Sequence, residues 1–478
     1  MKANPLLLAL SAALSLTSCA TLVPSNTDVT PAIPSQWPAG GVQTQTADVA
    51  ELGWRDFFTD FRLQQVIDQA ISHNRDLRVA VLNVERARSQ YRIQRADRLP
   101  GVSVQGQLER VGGDMPLTDQ FTSGLGVTDF EIDLFGRVQN LSEAALHQYF
   151  SVAANRRNAQ LSLVAETATA WMTLGADREQ LRIAEATVAS YNESLRLAQA
   201  RFERGGSSAL ELAQTRTLVE SGRTDAARLR GQVERDRNAL ALLIGSAVDE
   251  TWLPATSEEI RLIGVSPAPE GMPSDVLLRR PDIMAAEHIL LAGNANIGAA
   301  RAAFFPSIRL TGFFGSASGE LSGLFEGNSR TWSFLPTITL PIFQGGRLRA
   351  GLAMANADRD IALAQYERAI QVAFREAADA LALSASFDAQ LTSQQALMVA
   401  AEQSRALSQA RYDAGLDSFV TLLDARRTAY AAQQSRLQTS LAQQANRVTL
   451  YKVLGGGWSQ TRSPVRQEGD GAPAGVAP

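Results

Sequence analysis

The residue types that most often carry chemistry in proteins are scarce in this chain. It contains one cysteine, Cys19, and three histidines, His73, His147 and His288. A single cysteine can form neither an intrachain disulfide nor a zinc site built from several thiolates, and no two histidines have the i, i+4 spacing of a helical metal pair. The three histidines lie in charged helical stretches, so we expect them at the surface and predict no metal site.

Motifs for nucleotide binding and nucleophilic catalysis are also missing from the sequence. A Walker loop needs a Gly-Lys-Ser/Thr sequence, and neither Lys2 nor Lys452 has one. Residues 315–319 are Gly-Ser-Ala-Ser-Gly, which places alanine where a nucleophile elbow requires serine. The sequence offers no catalytic constellation, and we predict that the protein is not an enzyme and needs no cofactor.

The surroundings of Cys19 indicate a covalent modification instead. A short basic start and an apolar stretch at 6–16 precede Leu16-Thr17-Ser18-Cys19, which resembles a bacterial lipobox. We predict a lipoprotein signal peptide at 1–18 and a tether at 19–50 that is lipidated on Cys19, since several acyl chains anchor a protein firmly. Ala20 fits sorting to the outer membrane. The alternative is an incidental cysteine in an ordinary signal peptide.

Four segments alternate apolar and polar residues with a period of two, which is typical of β-strands. In the last of them, Trp332 and Phe334 flank Ser333, whereas the second changes phase between Val127 and Phe130, which predicts a β-bulge. This pattern fits outer-membrane strands, and it also fits a soluble, half-buried antiparallel sheet. We place the strands at about 99–110, 121–136, 306–315 and 331–343.

Long helical stretches follow each pair of strands. No proline occurs over 117–253 or 342–463, and a continuous helix over 139–204 would extend about 100 Å. Gly175 is the candidate break in that helix. The two stretches turn at Gly205 and Gly415, because glycine favours the left-handed backbone that ends a helix.

The segments that follow these turns also carry helix-start residues. Ser208 with Glu211 predicts a capping box for the first return helix. Asp417 or Ser418 can cap the second.

The pattern of two strands and a helical hairpin occurs twice, which predicts an internal repeat. We place the first structural repeat at 51–266, with a hairpin tip at 204–208. The second spans 267–457, with a tip at 414–418. Residues 458–478 are rich in glycine, proline and alanine, and we predict that this tail is disordered.

Composition limits the remaining possibilities. The formal net charge of −4 gives no indication of nucleic-acid binding. After the N-terminal segment there is no run of 18 apolar residues, so internal transmembrane helices are not expected. If the chain spans a membrane, it must do so with β-strands, the other structure that satisfies its backbone hydrogen bonds in lipid.

The most specific stretch of the chain is 277–312. It contains Leu-Leu-Arg-Arg-Pro-Asp-Ile at 277–283 and Phe-Phe-Pro-Ser-Ile at 304–308. With the lipobox, the strands and the hairpins, it resembles the outer-membrane factor family of TolC-like exit ducts, in particular the lipoprotein branch that serves RND-type multidrug efflux pumps. The similarity runs from the lipobox to Gly455.

This resemblance implies an α+β membrane protein. Each chain of a homotrimer would supply four strands to a twelve-stranded β-barrel, which continues into a long periplasmic α-helical barrel with a mixed equatorial region. The strand count agrees, because four strands fall short of the eight in the smallest outer-membrane barrels. The implied function is a passive exit duct for drugs or other small molecules in the bacterial outer membrane. The implied partners are a periplasmic adaptor, an inner-membrane RND-type pump and outer-membrane lipid.

The resemblance also assigns roles near the hairpin tips. Asp424 would form an acidic ring at the periplasmic gate, with an apolar ring from Val420, and Thr421 stands where some members have a second acid. The residues implied to support the closed gate are Tyr412, Arg411, Asp417 and Arg201, with Glu203. The residues implied to dock the adaptor are Gly205, Gly206, Ser207, Gly415 and Leu416.

Two other functions compete with drug efflux. The same duct could export polypeptides in a type I secretion system. Alternatively, the chain could be a lipid-anchored periplasmic coiled-coil scaffold without a pore, which would be soluble in water once its lipid is removed.

Overall fold

The computed structural model of the chain describes residues 22–24, 53–114, 116–254 and 274–456. Helices α1 (Trp54–Phe57), α2 (Phe61–His73) and α3 (Arg75–Ala96) precede strands β1 (Val102–Val111) and β2 (Thr118–Ile132). A hairpin of α4 (Arg137–Glu203) and α5 (Ala209–Ile244) follows, and then α6 (Pro281–Ala302). The second pair of strands and the second hairpin are β3 (Ser307–Ser318), β4 (Arg330–Thr339), α7 (Arg347–Asp413) and α8 (Phe419–Val453).

Several predicted features lie outside the described residues. They are the signal peptide at 1–18, Cys19, nearly all of the tether and the tail at 458–478. Among the residues that the structure describes, no helix has both the length and the apolar composition needed to cross a membrane.

The strands form one antiparallel sheet in the order β1-β2-β3-β4. Val104 pairs with Leu125, Leu125 with Phe314, and Phe314 with Trp332, so that four apolar residues form a row across the whole sheet. Their exposed fractions range from 50% for Leu125 to 80% for Val104. The alternation in the sequence thus produces a continuous, exposed apolar face, which is rare on monomeric soluble proteins.

The bulge predicted in the second strand is confirmed. The register between β2 and β3 shifts between Val127 and Phe130. Within the shift, Asp129 has a φ angle of +57°, its backbone N–H donates to Thr311 Oγ1 at 3.3 Å, and its carboxylate accepts from Arg309 at 2.6 Å. These contacts stabilise a left-handed backbone that costs energy for residues other than glycine.

The strand ends differ from the predicted 99–110, 121–136, 306–315 and 331–343 by a few residues. The strand predicted to reach 136 ends at Ile132. The next residue, Asp133, leaves the strand because its carboxylate accepts from the backbone N–H of Gln139 in the first turn of α4. The strand predicted to reach 343 ends at Thr339. Pro341 follows two residues later, and proline has no N–H to donate to a strand ladder.

Helix α4 runs through Gly175 without a break, so the predicted break is wrong. Glycine in a helix costs about 1 kcal/mol relative to alanine. Trp171, Met172 and Leu174 beside it are fully buried, and each such side chain contributes about 1.5–3 kcal/mol on burial. The packing of these neighbours therefore outweighs the low helix propensity of the glycine.

The described residues form two compact units. One falls within Met1–Pro31, Leu82–Ala154 and Asp282–Ala369, and the other within Ala32–Val81, Asn155–Pro281 and Ile370–Pro478. The first contains the sheet. The second has an aromatic core in which the rings of Phe57 and Tyr451 stack with centroids 4.0 Å apart. Each unit contains parts of both predicted repeats, 51–266 and 267–457. The compact units therefore do not coincide with the repeats, and the boundaries of the repeats stay a prediction.

The surface placement expected for all three histidines is wrong for two of them. His147 on α4 and His288 on α6 are half-buried, and their Nδ1 atoms are 3.3 Å apart. Burial lowers the pKa of both imidazoles. Because 141 positions separate the two residues, no local spacing could have revealed the pair.

Candidate functional site at the hairpin tips

The two hairpins turn with the same local geometry. Gly205 and Gly415 have φ angles of +74° and +72°. In the first tip the N–H of Gly206 donates to the carbonyl of Arg201 at 2.8 Å, and in the second the N–H of Leu416 donates to Arg411 at 2.9 Å. Each bond spans five residues and ends its helix in the manner of a Schellman motif.

The return helices are capped by serine. Ser208 Oγ accepts from the N–H of Glu211 at 3.1 Å. Ser418 Oγ accepts from the N–H of Thr421 at 3.3 Å, so Ser418 rather than Asp417 is the cap. The residues predicted to dock an adaptor lie in these turns: Gly205, Gly206, Gly415 and Leu416 are exposed, and Ser207 is half-exposed.

A polar cluster joins the two hairpins near their tips. Arg201 Nη1 on α4 donates to Tyr412 Oη on α7 at 3.0 Å, and its guanidinium carbon lies 5.4 Å from the Tyr412 ring centroid. The Tyr412 hydroxyl donates in turn to Glu211 Oε1 on α5. Burial, followed by the bond and charge of Glu211, raises the pKa of Tyr412 to about 12. Tyr412 is thus a neutral residue that accepts from Arg201 and donates to Glu211, and it joins its own hairpin to two charged residues of the other.

The sequence did not indicate the role of Glu211 in this cluster. Its spacing from Ser208 predicted a reciprocal capping box, but its carboxylate bonds to Tyr412 instead. Only the serine half of the box is present. The two roles have the same sequence pattern, so the spacing alone could not distinguish them.

Arg411 and Asp417 pair within the second tip rather than across the hairpins. Arg411 Nε and Nη2 donate to the two carboxylate oxygens of Asp417 at 2.7 and 2.8 Å. This fork-shaped pair closes the turn around Gly415. The Arg411 hydrogen bonds lower the pKa of Asp417.

Helix α8 begins with two different faces. Phe419, Leu422 and Leu423 are buried in a cluster with Tyr191, Leu218 and Val219. The opposite face carries Val420, Thr421 and Asp424, all exposed, with 55% exposure for Val420. The i, i+4 spacing places Val420 and Asp424 side by side. The chain therefore presents an apolar residue and an acid together, directly after the tip.

Further polar contacts, not foreseen from the sequence, connect the hairpins beyond the tips. The Tyr430 hydroxyl on α8 donates to Asp225 on α5. Arg426 on α8 donates to Ser194 on α4 at 2.8 Å and, within its own hairpin, to Gln409 on α7 at 2.6 Å. The two bonds between hairpins join residues 205 and 232 positions apart, and no motif marks them.

The described part of the chain contains no group of three or more His, Cys, Asp or Glu residues arranged to hold a metal ion. The tip region contains ion pairs, a hydrogen-bonded tyrosine and exposed turns. Such an arrangement can lock helices together and release them when its bonds break.

A family model described as "Outer membrane efflux protein" matches residues 66–246 and 272–456. The chain is similar to the antibiotic efflux pump outer membrane protein ArpC of Pseudomonas putida, with 44% identity over 448 residues, 91% of this chain and 92% of ArpC. It is similar to the toluene efflux pump outer membrane protein TtgC of the same species, with 43% identity over 94% of this chain and 95% of TtgC.

The fold is similar to a solved channel. The open state of the Neisseria gonorrhoeae MtrE outer membrane channel matches with a TM-score of 0.85 and 37% identity, over 93% of this chain and 100% of that one.

Proposed function

The chain belongs to the outer membrane efflux protein family, and from that membership we propose that its hairpin tips form the periplasmic gate of a trimeric duct. As a member of this family, the protein is an efflux channel of the outer membrane, the exit duct of a tripartite efflux system.

The edges of the sheet support an assembly of several chains. Strands β1 and β4 are its edges, and backbone groups at an edge cannot remain unpaired in lipid. Three chains provide twelve strands, so that each β4 pairs with β1 of a neighbour. The apolar row from Val104 to Trp332 then faces the acyl chains, as expected for the outside of a barrel.

The gate is formed by the exposed face of α8. One observation carries this assignment: Val420 and Asp424 are neighbours on the face of α8 opposite the buried cluster, one turn after the tip. Around a threefold axis they become an apolar ring and an acidic ring. Three carboxylates in a narrow pore favour cations and exclude anions.

The cluster of Arg201, Tyr412 and Glu211 holds the gate closed. It ties α4 and α5 of one hairpin to α7 of the other, so an opening motion that separates the hairpins must break it. Arg411 and Asp417 maintain the shape of the second tip. A periplasmic adaptor docks on the exposed turns at Gly205, Gly206, Ser207, Gly415 and Leu416, and an inner-membrane RND-type pump supplies the cargo.

The relatives suggest the class of cargo. ArpC is named for antibiotic efflux and TtgC for toluene efflux, so we propose small apolar or amphipathic molecules as cargo. Cys19 is proposed as the lipid-modified N-terminus that anchors the mature chain in the outer membrane.

Conductance of the purified protein in a planar bilayer tests the gate. We expect small, cation-selective currents from the wild type, and larger and less selective currents from Asp424→Ala. The control is Asp379→Ala, which removes the same charge from an exposed helix position that is 34 residues before the end of α7, about 50 Å from the tip. Equal currents in the wild type and Asp424→Ala would remove Asp424 from the constriction.

A further inference from the structure

A short piece of the N-terminal segment is fixed against the first compact unit. Arg301 Nη1, on the last turn of α6, donates to the backbone carbonyl of Leu22 at 2.9 Å. Leu22, Val23 and Pro24 are all partly buried. A bond from a charged guanidinium to a carbonyl is among the stronger hydrogen bonds in proteins.

Gly298, one turn earlier on α6, provides the space for this contact. A Cβ atom at position 298 would lie 2.8 Å from Cγ2 of Val23 and 2.7 Å from Nδ2 of Asn140 on α4. Both distances are shorter than a van der Waals contact between such atoms. Any side chain at 298 would therefore displace Val23, Asn140 or both.

Asn140 and Arg301 are both close to strand ends in the sequence. Asn140 lies in the first turn of α4, eight residues after the end of β2. Arg301 is the penultimate residue of α6, six residues before the start of β3. The helix ends that bind residues 22–24 are therefore those next to the sheet.

We infer that Asn140, Gly298 and Arg301 form a seat for residues 22–24, and that this seat fixes where the acyl chains on Cys19 enter the membrane. The second part rests on the lipidation proposed above. Three residues span at most about 11 Å, so a lipid on Cys19 must enter the inner leaflet within that distance of Leu22. The seat thus couples the lipid anchor to the position of the sheet.

A designed disulfide tests the seat. In the double variant Val23→Cys with Gly298→Cys, we expect a disulfide to form under air oxidation. Cγ2 of Val23, which occupies a position open to the sulfur of a cysteine there, lies 2.8 Å from a Cβ at 298. This contact is too close for unbonded side chains, but two sulfurs joined by a bond of about 2.05 Å can accommodate it. The control combines Val23→Cys with Gly351→Cys, since a Cβ at 351 meets no atom within 4 Å. Mass spectrometry of the linked peptides identifies the bond, and equal yields in both pairs would overturn the seat.

The same spectra test lipidation separately. An N-terminal peptide that begins at Cys19 with the mass of attached acyl chains supports the anchor. An unmodified Cys19 alongside a formed 23–298 disulfide would refute the lipid anchor and leave the seat intact.

The contribution of Arg301 is measured in the cross-linking background. We expect Arg301→Ala to slow formation of the disulfide about tenfold, because a charge-assisted hydrogen bond is lost. Arg347→Ala removes an arginine at the start of α7 that bonds locally to Gln344 and should leave the rate unchanged. Equal rates in the two variants would show that Arg301 does not hold the segment.

An insertion tests the effect on the anchor. Six Gly/Ser residues inserted after Ala20 lengthen the link between lipid and seat, whereas the same insertion after Gly40 leaves that link unchanged. We expect the first insertion alone to reduce the fraction of protein recovered as outer-membrane oligomer, because a longer link lowers the effective concentration of the lipid at its entry point. Equal recovery from both insertions would refute the positional role of the seat.

Discussion

The Tyr412 hydroxyl donates a hydrogen bond to the Glu211 carboxylate, and this bond connects α7 to α5 across 201 positions of sequence. Arg201 on α4 donates to the same hydroxyl. One tyrosine thus joins three helices from two hairpins next to the tips. With its pKa raised to about 12, Tyr412 keeps its proton across the physiological range, so the bond persists until the hairpins move.

Tyr412→Phe tests whether this bond restrains the gate. The ring remains, whereas the hydroxyl that both Arg201 and Glu211 contact is lost. We expect a higher open probability in planar bilayers and a loss of stability of about 1.5–3 kcal/mol, as for a hydrogen bond to a charged group. Tyr149→Phe is the matched control on α4 and should change neither quantity. If Tyr412→Phe has the same open probability as the wild type, the Tyr412 hydroxyl does not restrain the gate.

Thr421 offers a gain-of-function test of the exposed face of α8 that is proposed to form the gate. It is exposed three residues before Asp424, so Thr421→Asp should add a second acidic ring on the same face. We expect stronger cation selectivity and block by lower concentrations of divalent cations. Thr392→Asp places the same charge on an exposed position of α7 and should leave selectivity unchanged. If both variants behave alike, Thr421 does not face the pore.

Much of the fold was predictable because it is encoded locally. Alternation with a period of two located the four strands, and the change of phase in the second located the bulge at Asp129. Glycine marked both tips because Gly205 and Gly415 require a positive φ angle. The resemblance carried by residues 277–312 predicted the family and the efflux function, and both are confirmed by the family match and the relatives.

The remaining features depend on contacts between distant residues. The partners of Tyr412 and Tyr430 are 201 and 205 positions away, and helical periodicity says nothing about contacts at that separation. Gly175 was mispredicted because tertiary packing decides the outcome where propensity is only a weak preference. Cys19 lies outside the described residues, so its lipidation stays a prediction.

The raised pKa of Asp177 predicts that the stability of the folded protein depends on pH. Asp177 lies on α4 beside Asp236 on α5, and burial together with the neighbouring carboxyl raises the pKa of Asp177 to about 7. The unfolded value is about 3.9, so the folded state binds the proton more tightly. The stabilisation from the protonated carboxyl is complete below about pH 4 and is lost as the pH rises through about 7.

Thermal unfolding in detergent at pH 5 and pH 8 measures this effect. We expect the wild type to lose stability at pH 8 relative to Asp177→Asn, by about 1 kcal/mol after allowance for solvent screening. Asp379→Asn at an exposed position should retain the wild-type dependence. A parallel pH profile for the wild type and Asp177→Asn would contradict the assignment.

The sheet has no room for a side chain at Gly124 or Gly315. The two glycines face each other across β2 and β3. A Cβ at 124 would lie 2.5 Å from the Phe314 carbonyl oxygen, and one at 315 would overlap the Ser123 carbonyl oxygen. In both cases the Phe313 ring is also too close, at 2.9 Å. Backbone atoms cannot move aside as a flexible side chain can, so even alanine must push the two strands apart.

Gly315→Ala should therefore destabilise the sheet by about 1–3 kcal/mol, as overpacking usually does, and should lower the temperature at which oligomers dissociate on SDS gels. Gly106→Ala provides the matched control, since Gly106 lies on β1 and a Cβ there meets no atom within 4 Å. Because the chemical change is identical, any difference between the two variants reports the close approach of β2 and β3. Equal dissociation temperatures would show that these strands can separate at no cost.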